Sequence, residues 1–201
     1  MRKSNKLASR DYLTIGLYTV ADFAVSAVFS MLTVPILLWF FPYATAFVLF
    51  FTCPIYLLMA YKVGKKGTLF LFGAINGLIY AVMGSPFVLP FVLVGSLAGE
   101  ILLAKTNGYR KLAPQTAAFC IYNLLYGFCN YFVLALSADY YFESMQIEGA
   151  MREAYTKYMT QPFWIVTAVA ALLAAIVLGC RFGYRLLKKH FLKAGLVAEA
   201  V

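Results

Sequence analysis

The sequence predicts an all-α integral membrane protein: a six-transmembrane-helix bundle with both termini cytoplasmic, read as a single membrane domain over residues 1–201. Three observations carry this expectation. The chain is 63% hydrophobic and only 12% charged, with a mean hydropathy of +0.80, far more apolar than soluble domains of its length. Its apolar residues fall into six runs, most of them close to the ~20 residues that cross a bilayer. Apart from Arg152 and Lys157, every Lys and Arg lies in a cluster that precedes the first run, closes the chain at the end of the last, or fills an alternate gap between runs. Cytoplasmic loops retain Lys and Arg, so this alternation sets both the number of crossings and their direction.

The first run, 12–31, follows Arg2, Lys3, Lys6 and Arg10. It is long enough to span and lacks a small-residue cleavage site, so it reads as a transmembrane helix and not as a signal peptide. The second, 43–61, ends at Lys62, Lys65 and Lys66. The third, 68–83, is the shortest; Gly73 and Gly77 suit close packing or a thinned part of the bilayer. The fourth, 87–104, contains Gly95-Ser-Leu-Ala-Gly99, a pattern that lets helix backbones approach, and stops before Lys105, Arg110 and Lys111. The fifth is 114–136. The sixth, 162–187, runs into the basic cluster of Arg181, Arg185, Lys188, Lys189 and Lys193.

With the N-terminus inside, gaps 62–67 and 105–113 are cytoplasmic, and gaps 32–42, 84–86 and 137–161 face out. The first outer gap is apolar and bracketed by Pro35 and Pro42, which predicts a segment folded back into the membrane surface that could act as a lid. Trp39 belongs to that lid. The last carries Asp139, Glu143, Glu148 and Glu153 with several tyrosines, and its periodicity predicts one short interfacial helix over 143–158.

Two ionisable groups, Asp22 and Glu100, fall inside spans, where a charge costs about 2.5–3.5 kcal/mol on insertion scales. Asp22 shares a face with Tyr18, Ser26 and Ser30 at four-residue spacing, so that face must point inward. Either a ligand or coupling contact, or a structural hydrogen bond to another helix, would satisfy it. Glu100 lies nearer the cytoplasmic end, where a hydrogen bond between tightly packed helices is the favoured role. The fifth run carries a polar stripe of Asn123, Tyr126, Gly127 and Asn130, with Tyr122 beside it. Two carboxamides can read both donors and acceptors of a polar small molecule, although interhelical hydrogen bonding would use the same residues. In the third run Asn76 and Tyr80 form a similar stripe with glycines, and Asn76 reads as structural. Trp164 is either an interface anchor or a platform for a ring-shaped ligand.

Several functions find no support. The basic residues flank apolar runs and do not form one face, which argues for topology and anionic lipid over nucleic acid. Cys53, Cys120, Cys129 and Cys180 form no CxxC pair, His190 is the single histidine, and Gly64-Lys-Lys-Gly67 lacks the spacing of a phosphate loop. No catalytic constellation, metal site or cofactor motif is present, so an enzyme is not expected.

The chain resembles the substrate-binding S components of energy-coupling-factor (ECF) transporters, specifically the MptD-like, Trep_Strep group. The resemblance rests on length, six spans with both ends inside, the Arg10-Asp-Tyr-Leu-Thr-Ile-Gly16 start of the first span, and Gly95-Ser-Leu-Ala-Gly-Glu100 followed by Asn107-Gly-Tyr-Arg110. It implies a micronutrient-binding subunit in a prokaryotic plasma membrane. The implied partners are a transmembrane coupling subunit and two cytoplasmic ATPases, which would hydrolyse the ATP. It also implies an outward pocket using Tyr126, Asn130 and Trp164, with Asn123 and Tyr80 nearby, capped by Trp39 and the acidic loop. The family's Ala-xxx-Ala docking face is replaced here by Ala21, Ala24 and Ala27 at three-residue spacing. A different class is a stand-alone proton-coupled transporter with Asp22 or Glu100 as its proton site.

Overall fold

The computed structural model of the protein describes residues 7–192, so Arg2, Lys3, Lys6 and Lys193 lie outside the described residues. The described chain is helical, without strands. Six longer helices grow out of the six apolar runs: α1 (Ser9–Thr33), α2 (Leu37–Val63), α3 (Thr68–Val82), α4 (Val88–Thr106), α5 (Leu112–Leu136) and α8 (Pro162–Leu186). Two short ones, α6 (Ala138–Ser144) and α7 (Gly149–Thr160), precede α8, and a π-helical turn, Leu187–Leu192, continues it. Four helical stretches are long and apolar enough to cross a membrane, Ser9–Val63, Val88–Thr106, Leu112–Leu136 and Pro162–Lys189, while Thr68–Val82 is shorter.

The first of these stretches is folded into a hairpin. A 3-10 turn, Val34–Ile36, reverses the chain, and α2 returns along α1: Phe29 stacks on Phe51 at 3.9 Å, Lys62 lies over the Tyr18 ring, and Lys65 pairs with Asp11 at 2.6 Å. The non-helical re-entrant segment expected at 32–42 is therefore corrected. Leu37 already begins α2, which continues through both Pro42 and Pro54. Proline is tolerated within apolar bundles because neighbouring helices support the interrupted ladder. Pro54 leaves the Phe50 carbonyl without its usual donor four residues on, and α8 closes on that spot through Gly179, where a Cβ would come within 2.8 Å of the Phe50 oxygen. The α2–α8 pairing is the most extensive in the molecule.

Small residues also draw α3, α4 and α5 together. A Cβ on Gly99 would meet the Ala118 carbonyl at 2.9 Å, so the pattern at 95–99 works as a contact surface between α4 and α5. Acidic segment 137–161 forms two helices in place of the single one expected over 143–158. Ser137 caps α6 by accepting the Tyr140 amide at 3.3 Å, and Gln146 and Gly149, both at positive φ, break the chain before α7.

Candidate functional site

The two ends of the bundle differ in chemistry. At the basic end, the linker between α2 and α3 (64–67) is held by charged groups from three directions. The Glu100 carboxylate accepts the amides of Gly67 (2.6 Å), Leu69 (3.1 Å) and Phe70 (3.4 Å), together with the Tyr109 hydroxyl at 2.8 Å. It therefore lies at the N-terminus of α3, where orphan amides and the helix dipole favour an anion. Arg110 donates its Nε to the Tyr61 carbonyl at 3.2 Å in the last turn of α2, where a cation is favoured. Asp11 supplies the third contact, to Lys65. Burial raises the Asp11 pKa, but the Lys65 hydrogen bond, the Ala8 amide and the Lys65 charge outweigh that and hold it below 3.8. Burial, then the hydrogen bond and charge of Glu100, push the Tyr109 phenol up, which keeps it a donor.

A polar relay leads inward from this end. Gln115 donates to the Tyr109 carbonyl at 2.9 Å and accepts the Tyr56 hydroxyl at 2.7 Å; the Tyr56 ring stacks on Phe119 at 3.9 Å. Phe119 forms part of the wall of a cavity of about 310 Å³ enclosed by α1, α2, α3 and α5. The cavity lies toward the opposite end, where α1 turns into α2 and where α7 contributes Tyr155. Asp22, Ser26 and Ser30 enter from α1, so the face read from their four-residue spacing does point inward. Asn76 and Tyr80 enter from α3, and Tyr122, Asn123 and Tyr126 from α5.

The two amides spend one donor each on their own helices, Asn76 to the Phe72 carbonyl at 3.2 Å and Asn123 to the Phe119 carbonyl at 2.9 Å. Flat walls come from Tyr80 stacked on Tyr126 (5.4 Å) and Phe119 stacked on Tyr122 (5.8 Å). Asp22 is only 9% exposed, and its Oδ1 has no hydrogen-bond partner among the described residues. Among the described residues no other charged side chain lines the cavity.

Other residues singled out from the sequence lie elsewhere. Asn130 shares the face of Tyr126 and Asn123 but sits about 10 Å further along the axis than Asn123. It lines a second, mostly apolar cavity of about 600 Å³ between α2, α5 and α8, and Tyr141 donates to its Oδ1 at 3.5 Å. Trp164 packs edge-on against Tyr158 at 5.0 Å and lines neither cavity. Trp39 is 71% exposed and also lines neither; Phe41 lines the first cavity instead, its ring 3.7 Å from that of Tyr155. Ala21 and Ala24 lie on the exposed side of α1 and Ala27 is half-buried. All four cysteines are free.

Sequence reasoning missed Thr45, Thr52 and Phe41 of α2, which line the cavity, whereas Tyr155 comes from the acidic loop expected beside the pocket. Single threonines in an apolar run give no periodic signal. Phe41 was hidden because Pro42 looked like the end of a loop, although the helix runs through it.

No curated protein and no solved structure matches the chain. Residues 9–193 match a family described as hypothetical bacterial integral membrane proteins, Trep_Strep. That match covers nearly the whole chain, including every helix that builds the cavity and the capped linker, and the chain belongs to the Trep_Strep family of multi-pass bacterial membrane proteins.

Proposed function

We propose that this protein is the membrane-embedded substrate-binding subunit of an ATP-driven, ECF-type importer of a micronutrient. It spans a prokaryotic plasma membrane six times with both termini in the cytoplasm. It captures a small molecule in the cavity around Asp22, Asn123 and Tyr126 from the outer side, carries out no chemistry, and relies on a coupling subunit and two ATPases that hydrolyse ATP. The observation that carries this reading is the pairing of a polar, aromatic-walled cavity near one end of the bundle with basic clusters at the other. Positive clusters mark cytoplasmic loops, so the cavity faces the side from which a nutrient arrives. Membrane-buried ionisable groups that face a cavity are substrate or coupling sites by default.

The test has two parts. Native mass spectrometry of gently purified protein is expected to find a bound small molecule, and tagged protein from native membranes is expected to bring down a coupling subunit with ATPases. If neither a ligand nor a partner is recovered, the importer reading is lost. The unpartnered Asp22 oxygen also suits a stand-alone proton-coupled transporter. Uptake into proteoliposomes without ATPases, abolished when the proton gradient is collapsed, would favour that reading. Glu100, whose oxygens accept four donors, fits a proton site less well than Asp22.

A further inference from the structure

Asp22 differs from Glu100 in a way that bears on the ligand. Both are carboxylates within apolar helices, but Glu100 is saturated by backbone amides and a phenol, whereas the Asp22 Oδ1 is buried and unpartnered. The Asn76 and Asn123 side chains each spend one amide hydrogen on their own helix, and no side chain among the described residues donates to the Asp22 Oδ1. Among the described residues no Lys, Arg or His lines the cavity. A desolvated carboxylate in this state is strongly destabilising unless it takes up a proton or a donor or cation arrives.

The surroundings say what kind of group fits. The aromatic pairs Tyr80–Tyr126 and Phe119–Tyr122 present flat faces on the same cavity, and such faces attract cations and planar rings. A carboxylate is best satisfied by two parallel N–H donors in one plane. An anionic ligand would instead meet the Asp22 charge with nothing to offset it. At about 310 Å³ the cavity is near the lower end of the range for small-molecule sites, a size that suits a ligand of one or two rings.

We infer that the cavity takes a small planar ligand whose edge carries a cationic or doubly N–H-donating nitrogen group, of amidinium or cyclic amidine type, with that edge on Asp22 and its ring among the tyrosines. This rests on the reading of the cavity as the substrate site and adds the substrate's class. The polar side chains that surround Asp22 in the cavity, Ser26, Asn76, Asn123 and the tyrosines, then read the rest of the ligand's rim.

The test uses the full chain in lipid nanodiscs and three probes that share one ring: benzamidine, benzamide and benzoate. Benzamidine is expected to bind at least about tenfold more tightly than benzamide, the scale of one charge-assisted hydrogen bond, and benzoate weakest. Asp22→Asn is expected to abolish the preference for benzamidine over benzamide while the ligand-free variant melts no lower than the unmodified chain. Equal or better binding of benzamide or benzoate overturns the inference, as does failure of benzamidine to bind at millimolar concentration, or an Asp22→Asn variant that keeps the ranking. Should Asp22→Asn not fold, the ranking of the three probes on the unmodified chain decides alone. A neutral or anionic winner leaves the importer reading standing, because co-purification of coupling and ATPase subunits tests that separately; absence of those partners leaves the charge preference intact.

Discussion

At the scale of single residues, the two carboxylates set in apolar helices, Asp22 buried and Glu100 half-buried, give opposite expectations. Removing Glu100 strands the α3 amides and the Tyr109 hydroxyl, so Glu100→Ala should destabilise the protein by about 2–4 kcal/mol, the range for leaving several buried donors unpaired. Glu100→Gln, which retains one acceptor oxygen, should fall between. Thermal denaturation followed by size-exclusion in detergent checks both, and a folded Glu100→Gln fraction that loses ligand binding would contradict a purely structural role. At the membrane surface Asp11 gives a pH dependence. Its pKa is lowered in the folded state, so the stability it contributes is present above the ordinary carboxylate value of 3.8 and is lost as pH falls through the lower folded value. The pair is partly exposed, and its worth is about 1 kcal/mol or less. Melting curves should therefore show Asp11→Asn less stable than the unmodified chain at neutral pH, with the gap closing toward pH ~3.

Helices and their junctions show which parts of the fold were legible in the sequence. Each apolar run forms a helix whose ends differ from expectation by three residues or fewer, except the start of α2, which lies six residues earlier, because length and hydropathy are summed signals that one residue changes little. Junctions depend on single positions. Pro42 reads locally as a breaker, yet α2 passes through it because tertiary packing outweighs local preference. Asp22, Asn76, Asn123, Tyr80 and Tyr126 were legible because polar residues recur at helical spacing on three helices, and the structure brings those stripes to one cavity. Trp39 and Phe41 lie two residues apart in a run of aromatics, about 200° around the helix, and only the packed helix shows which one turns inward. The Phe41–Tyr155 contact joins α2 to α7 at the cavity wall, and we propose that it slows the release of a bound molecule. Phe41→Ala and Tyr155→Ala should each shorten ligand residence time by about tenfold, the effect of losing one aromatic contact of roughly 1–1.5 kcal/mol. Association rates should change less. Stopped-flow release of a bound probe measures this, and an unchanged off-rate in both variants would overturn that role.

On the scale of the whole molecule, the decisive feature is polarity between the ends of the bundle. Lys65, Lys66, Lys105, Arg110 and Lys111 gather at the end where Glu100 and Arg110 cap the α2–α3 linker, and the acidic α6–α7 segment lies at the end toward which the cavity is displaced. In the proposed topology the linker faces the cytoplasm and α6–α7 face out. Those two positions can be read in living cells. Lys66 and Glu148 lie at opposite ends, Lys66 being exposed in the linker and Glu148 being the residue before α7. With Cys53, Cys120, Cys129 and Cys180 replaced by alanine or serine as packing allows, Glu148→Cys should react with a membrane-impermeant maleimide in intact cells. Lys66→Cys should react only after the membrane is opened. An odd number of crossings between the two positions is what places them on opposite sides. The helices between them are α3, α4 and α5, with the short α6, so the experiment also tests whether α3 spans despite its 15 residues. If α3 failed to cross, both positions would label from the same side. The cavity and the basic end would then share a compartment, and capture from outside would have no route.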